Sequence, residues 1–342
     1  MNNSDRINKY SKSLGQDWID IENILEEALS SSSTLVSNLN TYLLTHSGKK
    51  LRPLLGILAA KACAKEKQDC LKAKICAAVG EIIHTATLLH DDVVDNSNLR
   101  RSVPTVKSLL SPGASVLIGD YWLSKAIYLL IHYHLDYPII GNYAESIELL
   151  SEGEIIQMEK AEELNTTKED YYRIIRRKTA TLFISTIKSA VQTITNDNTV
   201  INKIEEYALN LGLAFQIRDD ILDYQPSKDT GKDQDSDLAE RKITLPLLEA
   251  LKQKPNNNIK DLLSQINIST KNIDIPENSE LIIKNNKIIF TIKKFVLENK
   301  GIEKSHEVLT SHINKAIFAL KIIPNNNFKT ALIEIANSLT LV

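Results

Sequence analysis

The stretch ICAAVGEIIHTATLLHDDVVD, residues 75–95, is an apolar run that ends in three carboxylates. From Asp69 to Asp95 the chain has no proline and a single glycine, Gly80. Its apolar positions include Ile75, Val79, Ile82, Ile83, Leu88 and Leu89. They mix helical spacings so thoroughly that little of the surface is left for water. That pattern predicts one long helix lying at the centre of the fold. On such a helix residues four apart share a face at roughly 5–6 Å, so Asp91 and Asp95 converge, with Asp92 beside them.

The same pattern returns far down the chain, where Asp219-Asp220-Ile221-Leu222-Asp223 closes the predicted helix from Ile201 to Tyr224. Three carboxylates in one turn at the end of an apolar helix repel one another and cost several kcal/mol unless cations compensate. Hard divalent ions suit oxygen ligands. Magnesium takes one or two carboxylates and completes its shell with water and substrate phosphate. Two such clusters therefore predict a diphosphate held through shared metal ions.

Basic residues accompany both runs. Lys49 and Arg52 flank a turn before Pro53, Arg100 and Arg101 follow the first triplet, Lys178 follows two arginines, and Lys232 and Lys242 follow the second triplet. Arginine forks and lysine ammonium groups are the natural partners of phosphate oxygens. Seven residues make almost two helical turns, so His84 falls on nearly the stripe of Asp91, placed to meet a second substrate. Gln216 falls on the stripe of Asp219, Asp220 and Asp223, where an amide can orient a diphosphate.

The remainder of the chain predicts helices and short loops. Residues 21–44 read as two helices broken at Ser30–Ser33; Gly48 reads as a helix stop and Pro53 as a start. Leu54–Lys65, Gly113–Tyr133, Ile139–Leu164 and Lys168–Ile194 follow as single helices, with a polar loop from Asn96 to Pro112. Gln225–Arg241 reads as a polar loop or lid, and shorter helices follow Pro246 beyond an Asn- and Lys-rich connection. With 11 glycines and 9 prolines in 342 residues, and no alternating strand pattern, the class is an all-α bundle. The net charge of −2 gives no general attraction to nucleic acid or to an anionic membrane. Residues 1–12 lack the apolar stretch of a secretory signal, and no apolar run approaches the ~20 residues of a membrane span. Three cysteines, Cys63, Cys70 and Cys76, read as reduced thiols of a cytoplasmic protein.

At these residues the chain resembles the trans-type polyprenyl diphosphate synthases, and most of all the octaprenyl diphosphate synthases. The matching segments are Gly48-Lys49-Lys50-Leu51-Arg52-Pro53, the run from His84 to Asp95, Arg100-Arg101, Gly119-Asp120, Glu152-Gly153-Glu154 with Gln157, Lys178-Thr179, Phe215-Gln216 with Asp219–Asp223, and Lys242 with Thr244-Leu245-Pro246. The resemblance implies one domain over residues 1–342, with a motif-bearing core at about 46–250, folded as a large orthogonal helix bundle around a central cavity, the isoprenoid synthase type. It implies Mg2+, about two or three ions per site, held by Asp91, Asp95 and Asp219, with Asp92, Asp220 and Asp223 close by. Arg100, Lys178 and Lys242 would bind the allylic diphosphate, assisted by Thr179, Gln216 and Lys232. Lys49, Arg52, His84 and Arg101 would bind isopentenyl diphosphate. A homodimer is implied, with no membrane-spanning segment and a product passed to membrane enzymes that make quinones. Asp235 and Arg241 stand where the family usually has glycine, which puts the closed geometry of the lid region in doubt.

Chain length follows from steric room below the first triplet. The positions four and five before Asp91 are Thr87 and Ala86, both small, where short-chain members of the family often carry bulky aromatics. An open upper tunnel favours a long, octaprenyl product. A farnesyl or geranylgeranyl synthase with a deeper floor, a non-catalytic subunit of a two-component synthase, and a metal phosphohydrolase stand as alternatives.

Overall fold

A computed structural model describes residues 3–225, 236–268 and 279–340. Lys232 and Asp235 lie outside the described residues, as does most of the predicted lid. The described chain is almost entirely helical. It opens with α1 (Asn3–Ser13), α2 (Gln16–Ala28), α3 (Thr34–Thr45), α4 (Leu51–Cys63) and the long α5 (Leu71–Val94). A small hairpin, β1 (Leu99–Arg100) and β2 (Val103–Pro104), leads to α6 (Val106–Leu109), α7 (Pro112–His132), α8 (Tyr137–Glu163) and α9 (Lys168–Ile175). A π-helical turn, Arg176–Ala180, joins α9 to α10 (Thr181–Gln192). Then come α11 (Asn198–Asp223), α12 (Ser236–Ala239), α13 (Leu245–Gln253), α14 (Asn258–Ser264), α15 (Glu280–Glu298), α16 (Gly301–Ala319) and α17 (Asn327–Ser338).

Local chemistry sets the boundaries. The Ser33 side chain accepts from the Val36 amide at the start of α3. Ser111 does the same for α7, with Pro112 just inside, where its missing N–H costs nothing. Thr167 and Asp170 form a reciprocal capping box on α9. The Asp197 carboxylate accepts the first amides of α11.

As its sequence predicts, α5 is enveloped: it packs against α2, α4, α7 and α10. Buried apolar residues from Ile7 to Leu339 form one continuous cluster around it. All three cysteines are free thiols.

Four expectations need correction. The 96–112 loop contains the β1–β2 hairpin and α6. Its two turn residues, Arg101 and Ser102, both take positive φ, 53° and 64°, a conformation that usually announces itself with Gly or Asn. Lys168–Ile194 is interrupted by the π turn, which apolar periodicity does not reveal. The helices beyond Pro246 include α15 and α16, each 19 residues long. The fourth is α7, which is long and apolar enough to cross a membrane by length and composition, at mean hydropathy 1.3. It is packed against α5; one face buries Trp122, Ala126 and Leu130, and the opposite face exposes Leu117, Tyr128 and Ile131.

The π turn lies tightly against α8. A Cβ added at Gly153 would sit 2.8 Å from the Arg177 Cβ and 2.9 Å from the Lys178 backbone nitrogen. Backbone cannot give way as a flexible side chain can. Gly153→Ala should therefore lower stability by about 1–3 kcal/mol, read as a reduced denaturation midpoint in urea.

Candidate active site

The two acidic triplets end α5 and α11 and line one cavity of about 240 Å3, which Asp91, Asp95, Asp219 and Asp220 all border. Both sit at helix C-termini, where the helix dipole already presents negative charge. Burial, with the Glu154 and Asp95 carboxylates behind it, pushes the Asp91 carboxyl up to about 6 in spite of Lys178. Burial, with Asp219 and Asp223 behind it, pushes Asp220 up to about 7 against its hydrogen bonds. Carboxyls held that high are short of positive charge.

The middle aspartate of each triplet is held by protein. Asp92 is 3% exposed and accepts from Nε of Arg100 at 2.8 Å. Asp220 is 2% exposed; it accepts from the Tyr171 hydroxyl at 2.6 Å and from the Gln216 amide at 2.8 Å. Asp223 stands outside the cavity lining and accepts from the Asp237 backbone amide at 3.2 Å. Among the described residues no three Asp, Glu, His or Cys side chains close into a metal cage. An open set of carboxylates facing a cavity suits magnesium, which leaves positions for water and phosphate oxygens. Asp91, Asp95 and Asp219, the three expected ligands, all border that cavity.

Cations surround the carboxylates. Lys178 and Thr179 come from the π turn, a feature that recurs at functional sites. Lys178 pairs with Glu154 of α8, and the Thr179 hydroxyl donates to Oε1 of Gln216 at 2.6 Å. Lys242 pairs with Glu240 and lies 3.9 Å from Asp95. Burial works against its charge, yet Glu240, Asp95 and Asp237 together hold its pKa above the ordinary lysine value.

A second cluster lies beside the first. Arg52 stacks on Phe183, 4.6 Å from the ring centroid, and burial takes it down to about 10 although Glu81 opposes this. Partial burial, Arg218 and Arg101 together push Lys49 down. Burial is also the main cause of the lowered pKa of Arg101. The Nε atoms of Arg52 and Arg218 are buried without a hydrogen-bond partner among the described residues. Glu81, only 5% exposed, is the carboxylate set among these cations, and burial raises its pKa. Gly48 does not stop a helix by taking positive φ. It gives Arg101 room instead, since a Cβ there would fall 2.3 Å from the Arg101 guanidinium. His84 is held neutral by burial and by Arg52, Arg101 and Arg100, so it meets an anion as an N–H donor.

A cavity of about 510 Å3 continues between the clusters. His84, Arg52, Arg101, Asp91 and Asp219 border its polar end, while Leu150, Ile155, Met158, Leu182 and Phe215 form apolar wall. Thr87 lines this space. Ala86, paired with it by sequence, is fully buried in the core and absent from the lining. Arg218, Glu81 and Tyr171 were missed by sequence, and Glu154 was quoted there without a role. Arg218, directly before Asp219, carried the clearest overlooked signal.

Residues 33–277 match the polyprenyl synthetase family. The chain belongs to that family. It is 32% identical over 325 residues to the all-trans-nonaprenyl-diphosphate synthase (geranyl-diphosphate specific) of Rhodobacter capsulatus, covering 94% of each chain. It is 32% identical over 316 residues to the octaprenyl diphosphate synthase of Haemophilus influenzae, covering 92% of this chain and 90% of that one. The fold superposes on a polyprenyl synthase from Caulobacter crescentus, complexed with calcium and isoprenyl diphosphate, with a TM-score of 0.85 at 29% identity over 98% of this chain and 97% of that one. The protein is thus a polyprenyl diphosphate synthase, a prenyltransferase of an all-α family that uses divalent metal and takes allylic and isopentenyl diphosphates.

The crowding of Lys49, Arg101 and Arg218 is unfavourable until an anion arrives. Arg101→Ala should weaken the binding of inorganic diphosphate by about 10–100-fold, the loss expected for charge-assisted hydrogen bonds, as measured by titration calorimetry.

Proposed function

We propose that this synthase condenses farnesyl diphosphate with several isopentenyl diphosphates to an all-trans octaprenyl diphosphate destined for quinone side chains. The observation that supports this reading is the continuity of the acidic and cationic head site with an apolar cavity whose upper wall carries Thr87. A growing apolar tail leaves water for such a wall at roughly 0.8 kcal/mol per methylene.

Asp91, Asp95 and Asp219 would hold Mg2+, about two or three ions, which would lend Lewis acidity to the departing diphosphate. The protein's own groups do the rest. Arg100, Lys178 and Lys242 take up negative charge on the leaving group, with Thr179, Gln216 and Lys232 as further contacts. Lys49, Arg52, His84 and Arg101 hold isopentenyl diphosphate with its double bond towards the allylic carbon. The apolar walls keep water from the cationic carbon while the new bond forms. No side-chain nucleophile takes part.

A homodimer fits the exposed apolar residues. Val94, Ile155 and Met158 border the apolar cavity yet are 51%, 56% and 53% exposed. A second copy covering that face would close the cavity wall and bury an apolar surface of the kind that marks association. We place the enzyme in the cytoplasm, handing its product to membrane enzymes.

The direct experiment incubates the full chain with magnesium, farnesyl diphosphate and labelled isopentenyl diphosphate and sizes the products by chromatography. Octaprenyl is expected. A product stopping at geranylgeranyl would replace this reading with the short-chain one, and diphosphate release without elongation would end both. Thr87→Phe should shorten the product by narrowing the wall, and an unchanged length would remove Thr87 from the determinants of size. Asp91→Ala and Asp219→Ala should each lower kcat about a thousandfold or more. Full turnover in the doubly substituted enzyme would sink the metal assignment.

A further inference from the structure

Asp220 uses both carboxylate oxygens inside the protein, Oδ2 for the Tyr171 hydroxyl and Oδ1 for the Gln216 amide. The chain of bonds continues from Oε1 of Gln216 to the Thr179 hydroxyl. Four side chains from α9, the π turn and α11 thus form one connected relay along the wall of the acidic cavity, and all four line it. Tyr171 belongs to neither the aspartate motifs nor the cation clusters.

Each bond in the relay has a forced direction. With both Asp220 oxygens accepting, the Gln216 nitrogen faces Asp220 and its oxygen faces the Thr179 hydroxyl. The Thr179 proton is then committed to Gln216, and the tyrosine proton to Asp220. The donor left over is the second N–H of Gln216. Turning that amide over would place oxygen against carboxylate and offer the cavity an acceptor, which repels phosphate.

The π turn makes the relay possible. Tyr171 and Thr179 are eight residues apart. Unbroken α periodicity would set them about 80° apart around the helix axis. The wider π turn winds less per residue and brings Thr179 back towards the side of Tyr171.

We infer that Tyr171 is a positioning residue for the allylic diphosphate: by fixing Asp220 it holds the Gln216 amide with an N–H available to the anion. The inference rests on the reading above that the Gln216 side of the cavity takes the allylic substrate. It is specific to that side, because His84, Arg52 and Arg101 contribute nothing to the relay.

The test is a double-mutant cycle in the full-length enzyme with Tyr171→Phe, Gln216→Leu and both together. Steady-state kinetics for each substrate is combined with calorimetry of inorganic diphosphate in magnesium. Tyr171→Phe should lower kcat/KM for the allylic substrate about tenfold and weaken diphosphate binding, with KM for isopentenyl diphosphate changing less than about twofold. In the Gln216→Leu background the same change should cost less than about twofold, since the amide it orients is gone. Independent, additive losses would overturn the inference, as would equal changes in both KM values.

If Tyr171→Phe does not fold, Asp220→Asn decides. Asparagine can accept from Gln216 and donate to the tyrosine oxygen, so it should keep at least about tenfold more kcat/KM than Asp220→Ala; equal losses would overturn the relay. Failure of the wild-type enzyme to elongate at all would instead strike the functional reading.

Discussion

Everything in this structure answers one electrostatic problem: two carboxylate triplets at two helix C-termini, brought to one cavity. Helix C-termini favour cations by roughly 0.3–1 kcal/mol, and here they carry aspartates instead. The apolar bodies of α5 and α11 exclude the water that would screen them. Burial first, and the neighbouring carboxylates after it, take Asp91 and Asp220 well above the normal carboxylate range. A fold that gathers this many carboxylates in one place is built for a cationic cofactor and a polyanionic substrate. The cation cluster of Lys49, Arg52, Arg101 and Arg218 is the complementary half of the same problem, since it crowds positive charge where only an anion can relieve it.

The scaffold holds these charges by local irregularity more than by regular structure. The π turn presents Lys178 and Thr179. A two-residue turn with positive φ at Arg101 and Ser102 presents Arg101. The left-handed Lys50, at φ 47°, starts α4 ahead of Arg52. Such conformations persist only where the surroundings over-determine them. At each of the first two, a glycine on a neighbouring segment supplies the clearance, Gly153 for the π turn and Gly48 for Arg101.

That division explains what the sequence could reveal. The long central helix, the gathering of Asp91, Asp95 and Asp219 at one cavity, and the cation sets were legible because they follow from helical periodicity and charge, whereas Asp223, expected on the face of Asp219, stands outside that lining. The π turn was not, because its five residues, Arg176–Ala180, are too few to set a period of their own. The hairpin was not, because its turn lacks the residues that normally mark positive φ. Glu81 and Tyr171 were not, because their partners are remote in the chain and only packing brings them together. Thr87 and Ala86 are neighbours in sequence, but a helix turns about 100° per residue, so one lines the cavity and the other packs into the core.

The two triplets look equivalent as text and are not equivalent as chemistry. In each, the second aspartate is buried and held by the protein, while the first borders both the acidic and the apolar cavity. Asp92 is held by the charged Arg100, so the first triplet is partly neutralised from within. Asp220 is held by two neutral donors, Tyr171 and Gln216, which satisfy its hydrogen bonds and leave its charge in place. The middle aspartate of the second triplet therefore depends more heavily on an added cation than Asp92 does. Because its middle member is tied to Gln216 and Thr179, compensation of that charge also bears on the donors that meet the allylic substrate. Charge balance and substrate orientation are consequently linked at both helix ends, through Gln216 at the end of α11 and through Arg100 at the end of α5.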